Sequence, residues 1–159
     1  MSENSQEILT FIVENQRFAI PLQKVDRAIR AVAVTKLIDS PGFIEGVIDY
    51  FGEIIAVISL RKRLGYTLQE LKLSDRLIIA NTTNRKIALI VDQVEDVILP
   101  DSLDLYDSKD LVAGLKLLSL LRDDRGIILI YDLENLLSKT EEIQLKEMLE
   151  ANFTPTNGL

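Results

Sequence analysis

A mainly β fold built from two similar units is the architecture this sequence predicts, on three observations. Short apolar runs rich in Ile, Val and Leu recur along the chain, each bounded by turn residues. The order of the runs in the first half returns in the second. The composition, 47% hydrophobic over 159 residues, is enough to bury a core without a disulfide, since there is no cysteine. Many short strands separated by turn signals imply barrels or a sandwich rather than a parallel sheet.

The elements follow in order. Ile8 to Val13 and Arg17 to Pro21 are apolar runs separated by Glu14, Asn15 and Gln16, which predicts a hairpin. Gln23 to Arg30 reads as a short helix, and Asp39-Ser40-Pro41-Gly42 as a loop. Gly46 to Tyr50 and Glu53 to Ile58 read as strands joined by a tight turn at Phe51-Gly52. Ser59 is placed to cap a short helix, Leu60 to Leu64, which Gly65 would end. Thr67 and Glu70 have capping-box spacing. Leu77 to Ala80 and Ile87 to Val91 flank the turn cluster Asn81-Thr82-Thr83-Asn84, and Val94 to Leu99 is a further strand. Asp101 to Asp110 is polar and reads as loop. Leu115 to Leu121 and Ile127 to Tyr131 flank a turn over Arg122 to Gly126. Asp132 is placed to cap a helical segment ending near Leu137. Ser138 and Glu141 open a last helix, 141–152, and a tail, 153–159, follows.

The halves read as copies. Ala19-Ile20 and Ala88-Leu89 match at an offset of 69, as do Val25-Asp26 with Val94-Glu95 and Ile29 with Ile98. Ser59-Leu60 matches Asp132-Leu133 at an offset of 73. Two β-units that close on themselves would remove the exposed sheet edges that an apolar chain must avoid.

Composition excludes several functions. Without cysteine or histidine there is no thiolate or imidazole metal ligand and no Ser-His-Asp chemistry. The net charge of −7 argues against nucleic acid as a partner, including binding of single strands by a small barrel. No basic start followed by an apolar run marks a signal peptide, and no apolar stretch approaches the ~20 residues of a membrane span. These features predict a soluble, cytoplasmic protein with no direct membrane insertion. The series Asp101, Asp104, Asp107, Asp110 lacks the alternate spacing and mid-loop glycine of a calcium loop. Arg61-Lys62-Arg63 reads as a solvated face, and the seven glycines form no phosphate-binding loop. No metal and no cofactor is expected.

The most informative segment runs from Gly46 to Arg61. It resembles the core motif of the CheW family, coupling proteins of bacterial chemotaxis, which reads Gly-Val-Ile-Asn-Leu-Arg-Gly, two variable positions, an apolar strand and Asp-Leu-Arg. Gly46, Val47, Ile48, Gly52, Leu60 and Arg61 match it. Phe11, Phe18, Ala19-Ile20-Pro21 and Val25 fit the family's opening hairpin. Asp75 to Ile79 and Leu89 to Val94 fit its second half. The resemblance implies one domain over 6–140 with two five-stranded SH3-like barrels, the first roughly 15–80, the second roughly 81–140 with the N-terminal strand. It also implies a non-enzymatic adaptor. Its partners would be the regulatory domain of a CheA-type histidine kinase and the cytoplasmic tip of a methyl-accepting chemoreceptor. An adaptor of the same fold in a pilus-motility or other signalling pathway is the alternative.

Three positions depart from the family pattern. Phe51 stands where the family has Arg, Asp49 where it has Asn, and Arg27 where it often has an acidic residue. A guanidinium makes forked charge-assisted hydrogen bonds, whereas a Phe buries area or stacks. Val25, Arg27, Gly46, Asp49, Phe51 and Gly52 are therefore the expected partner-binding residues. The glycines allow close backbone approach, Val25 and Phe51 supply apolar area, and Arg27 supplies charge. Phe51 reads either as cover for a barrel rim or as an exposed apolar anchor.

Overall fold

The computed structural model describes residues 6–67, 70–107 and 117–153. The alternating and β-branched runs form eleven strands in two sheets. The strands are β1 (Ile8–Val13), β2 (Gln16–Pro21), β3 (Val25–Arg30), β4 (Ile44–Tyr50), β5 (Glu53–Ser59), β6 (Arg76–Asn81), β7 (Lys86–Val91), β8 (Gln93–Ile98), β9 (Leu105–Tyr106), β10 (Leu117–Asp123) and β11 (Gly126–Tyr131). One sheet has the order β8-β1-β2-β11-β10-β9, the other β3-β6-β7-β5-β4. The helices are α1 (Leu60–Arg63) and α2 (Lys139–Phe153), with single 3-10 turns at Leu22–Lys24, Ser102–Asp104 and Leu133–Asn135.

Each sheet takes strands from both halves of the chain. The first half gives β1 and β2 to one sheet and β3, β4 and β5 to the other; the second half gives β6 and β7 to the latter and β8 onward to the former. The repeat is exact in register. Leu9 opposite Ile20 becomes, 69 residues on, Ile78 opposite Leu89. Leu9 opposite Val97 corresponds to Ile78 opposite Ala28, and both pairings carry a bulge at the same place. Phe18 beside Leu129 in the parallel pair β2–β11 corresponds to Ile87 beside Ala56 in β7–β5. These two parallel pairs join the halves, and the crossover from β2 to β11 spans most of the chain.

Three cores follow from the pleat, which sends alternate residues to opposite faces. Leu9, Phe11, Val13, Phe18 and Ile20 of the first sheet meet Ala56, Ile58, Ile78, Ala80, Ile87 and Leu89 of the second in a shared central core. The other face of the second sheet buries Ile55, Val57, Leu77, Ile79 and Ala88. The other face of the first buries Ile8, Ala19, Leu121, Ile128 and Ile130. Strands buried on both faces need apolar residues at consecutive positions, hence Leu77-Ile78-Ile79-Ala80.

Some expected elements differ. Over the helix expected at Gln23 to Arg30 there is one 3-10 turn and then β3. Val25 and Ile29 face inward, and pairing with β6 satisfies the backbone, so the helical propensity of this stretch is overridden. The loop expected from Asp101 contains β9, a two-residue sixth strand on β10. Asp132 makes no side-chain cap; its carboxylate accepts from Asn135 Nδ2 at 2.5 Å. The last helix begins two residues before Glu141 and runs to Phe153. Ser138 and Glu141 do form the reciprocal capping box, with Glu141 N donating to Ser138 Oγ and Ser138 N to Glu141 Oε1. The capping-box interior at Leu68-Gln69, Asp110 of the acidic series, residues 115–116 of the expected strand and 154–159 of the tail lie outside the described residues.

Because neither half holds a complete sheet, separate fragments 1–67 and 70–159 are expected to be unfolded by circular dichroism. Mixed in equal amounts, they should recover the β-sheet spectrum of the intact chain.

Candidate partner-binding site

Four of the expected site residues, Arg27, Asp49, Phe51 and Gly52, lie at one rim of the second sheet. Tyr50 and Glu53 pair across a two-residue hairpin turn, Phe51-Gly52, whose φ angles of 52° and 88° are both left-handed. That geometry matches the twist of the flanking strands and suits glycine, not a bulky residue, at the first position. Asp49 Oδ1 accepts from Gly52 N at 2.8 Å and fixes the turn. Phe51 therefore stands out from the rim, 83% exposed.

Arg27 from the opposite edge strand and the preceding Tyr50 hold it there. The Arg27 guanidinium lies 5.3 Å from the Phe51 ring centroid. Tyr50 meets Phe51 edge-to-face at 4.8 Å. The Tyr50 hydroxyl donates to Asp26 Oδ2 at 3.0 Å, and Lys86 Nζ reaches the same oxygen at 3.3 Å. The Asp26 carboxyl is thereby held below its ordinary range, first by Tyr50 and then by Lys86, and burial raises the Tyr50 hydroxyl. These contacts join β3 to the β4–β5 turn, the two ends of the sheet.

Further along, the segment after β3 meets β4 through backbone. Thr35 N donates to Val47 O and Val47 N to Thr35 O, each at 2.9 Å. Gly46 sits under this crossing. A Cβ there would lie 2.4 Å from the Thr35 carbonyl oxygen and 2.6 Å from Val34 Cγ1. The close backbone approach that Gly46 permits is thus to its own chain. Val25 is half-buried against the central core, while Arg27, Asp49, Phe51 and Gly52 are exposed together. Asp26, Tyr50 and Lys86 complete the rim and were not singled out from the sequence. The repeat carried a signal for Lys86, which corresponds to Arg17 at the offset of 69.

The first sheet has an equivalent rim with different chemistry. Arg17, in the place of Lys86, makes a forked pair with Asp123 at 2.9 and 2.9 Å and reaches Glu95 at 3.2 Å. Glu95 corresponds to Asp26 and Asp123 to Tyr50. Arg125 in the turn reaches Glu95 at 3.4 Å and Asp96 at 3.7 Å. The forked bond from Arg17 lowers the Asp123 carboxyl, and the same bond raises Arg17. One rim is closed by ions; the other presents an aromatic ring.

Among the described residues no group of three Asp or Glu side chains could hold a metal ion, and no helix is long and apolar enough to cross a membrane.

Residues 7–141 match the family model described as CheW-like domain, so the chain belongs to the CheW-like family. It is 32% identical over 143 residues to the chemotaxis protein CheW of Thermotoga maritima, covering 89% of this chain and 91% of that one. It is 26% identical over 145 residues to the probable chemotaxis protein CheW of Rhizobium etli, covering 89% and 93%. The crystal structure of the scaffolding protein TtCheW from Thermoanaerobacter tengcongensis superposes with a TM-score of 0.78 at 27% identity, covering 86% of this chain and 95% of that one. The mainly β architecture with a C-terminal helix is that of this family.

Two outcomes are expected from the paired rims. Phe51→Asn, which relieves the positive-φ strain and gives up the ring contacts of Arg27 and Tyr50, should change unfolding stability by no more than about 1 kcal/mol in urea denaturation at unchanged m-value. Asp123→Asn should cost about 1–2 kcal/mol at neutral pH. Because the folded carboxyl lies below its ordinary 3.8, that contribution is present above pH 3.8 and is lost as the pH falls through the folded value. The stabilities of variant and parent should therefore converge in acid.

Proposed function

We propose that this chain is a non-catalytic cytoplasmic adaptor in chemotaxis, joining the helical cytoplasmic tip of a chemoreceptor to the regulatory domain of a CheA-type histidine kinase. The family supports the adaptor role, and the observation that carries the partner surface is Phe51. A largely exposed ring on a left-handed turn is costly in the free protein and suits a surface that a partner covers. Aromatic residues with arginine beside them are the groups that most often dominate interface energy. We assign kinase contact to Val25, Arg27, Asp49, Phe51 and Gly52, where ring and guanidinium form one amphipathic patch. Gly46 serves this surface indirectly, by letting Thr35 cross β4. Receptor helices would lie with an apolar face against the groove between the two sheets, the helix-in-groove mode of recognition. The two sheets act as the two lobes of this adaptor.

Titration calorimetry with the purified kinase regulatory domain and with a receptor-tip fragment tests the reading. Micromolar binding of both is expected, and Phe51→Asn should weaken kinase binding by about tenfold or more, ~1.4 kcal/mol, while the receptor fragment binds as before. If neither partner binds at micromolar concentration, the coupling role fails. If both bind but the variant is unchanged, the role stands and the rim is not its kinase surface.

A further inference from the structure

The Phe51 rim leaves one charge without a counter-ion. Arg27 is exposed, and its guanidinium lies 5.3 Å from the Phe51 ring centroid. Among the described residues it makes no hydrogen bond and no ion pair within the chain. Asp26, its neighbour in β3, is engaged elsewhere: Oδ2 accepts from the Tyr50 hydroxyl at 3.0 Å and from Lys86 Nζ at 3.3 Å. The Arg27 charge helps to lower the Asp26 carboxyl only behind those two groups. The bulge between Val25 and Arg27 sends Asp26 to Tyr50 and Arg27 to the ring.

An exposed arginine is ordinary in itself. The chain's own second copy shows what sets this one apart. At the offset of 69, Asp26 and Arg27 correspond to Glu95 and Asp96; at the offset of 73, Phe51-Gly52 corresponds to Asp124-Arg125. In the first sheet the cation stands on the turn, and Arg125 reaches Glu95 at 3.4 Å and Asp96 at 3.7 Å. In the second sheet the sign at the strand position is reversed, and the turn carries a ring in place of a counter-ion. That ring attracts the guanidinium but offers no oxygen to its five N–H donors. A partner that covers Phe51 also strips water from Arg27 beside it. A charge taken out of water is costly unless it is paired and hydrogen-bonded.

We infer that Arg27 is the specificity-determining residue of this rim, and that the partner brings a carboxylate to its guanidinium beside the apolar socket that receives Phe51. A forked pair of this kind fixes orientation as well as charge. A surface with a similar socket flanked by Lys or Arg is rejected through like charge. This partner chemistry rests on reading the rim as the kinase surface, and it states what the kinase carries there.

Titration calorimetry of the full chain with the kinase regulatory domain tests it. Arg27→Gln should weaken binding by about tenfold or more and Arg27→Glu by about tenfold again, with Arg27→Lys between the parent and Arg27→Gln. Added salt should weaken the parent more than Arg27→Gln. Surface Asp and Glu residues of the kinase domain, changed singly to Asn and Gln, should include one whose loss weakens the parent by about tenfold and leaves Arg27→Gln unaffected. Lys at that kinase position should restore the binding of Arg27→Glu. If Phe51→Asn is weakened while Arg27→Gln and Arg27→Glu bind like the parent, the carboxylate is overturned and the kinase surface stands. Equal losses from Arg27→Gln and Arg27→Glu, with no coupled carboxylate on the kinase, overturn it too and reduce Arg27 to a support for the ring. If the parent does not bind, or if neither Phe51→Asn nor Arg27→Glu weakens binding, the reading of the rim fails and takes the carboxylate with it.

Discussion

Reciprocal exchange of strands between the two halves of the chain is the constraint on which the rest of the structure depends. Neither half owns a complete sheet; β2 finds β11 and β7 finds β5 as parallel neighbours, and these two pairs stitch the halves together. The strands at the centre of each sheet then have an apolar neighbour on both faces. That is why buried residues run consecutively through β6 and β7. It is also why one core lies between the sheets and one more lies on each outer face.

The exchange places equivalent junctions at equivalent positions, and the sequence has filled them with different chemistry. After β5, Arg61 reaches across to Glu14 in the β1–β2 turn. After β11, the corresponding residue is Glu134, which accepts from the backbone and hydroxyl of Thr83 in the β6–β7 turn. Both tie a post-strand turn of one sheet to a hairpin of the other. The Arg61 junction is nearly closed to solvent, with the side chain 11% exposed, so it must bring its own counter-ions. The Glu134 junction is more open to water and is satisfied by the neutral donors of Thr83 together with Lys24 Nζ at 3.5 Å. Removing both carboxylates, Glu14 and Asp92, would leave the nearly buried Arg61 charge uncompensated, which is far costlier than losing a contact at the more exposed junction.

What the sequence made legible, and what it hid, follows from how local each feature is. Hairpins, their turn residues and the capping box Ser138–Glu141 are set by neighbours in the chain, and all were readable. So was the offset of 69, because exact register preserves apolar alternation. β3 was not. Its residues alternate too weakly to outweigh helical propensity, and only the distant edge of β6 makes a strand of them. Within the site, Phe51-Gly52 was readable as a turn and Arg27 as a departure from the family pattern. The stacking of one on the other was not, since it depends on the sheet's two ends coming together. At Gly46 the lack of a side chain is used inward, against Thr35, an approach that the sequence did not disclose.

The contrast between the two rims bears on why Phe51 is where it is. At the equivalent turn the first sheet carries Asp124-Arg125, polar residues whose neighbours pair among themselves, and that rim is self-sufficient. The second rim has the same strand pairing but a different turn, since neither Asp124 nor Arg125 has a positive φ. It holds a large ring at a left-handed φ, a conformation costing roughly 1–2 kcal/mol for a residue with a Cβ. Arg27 and Tyr50 return about 0.5–1 kcal/mol each, a total comparable to that cost. A turn kept for stability alone would carry Asn or Gly at this position and need no such contacts. Covering the ring would add to the balance, since a Phe removed from water contributes about 1.5–3 kcal/mol.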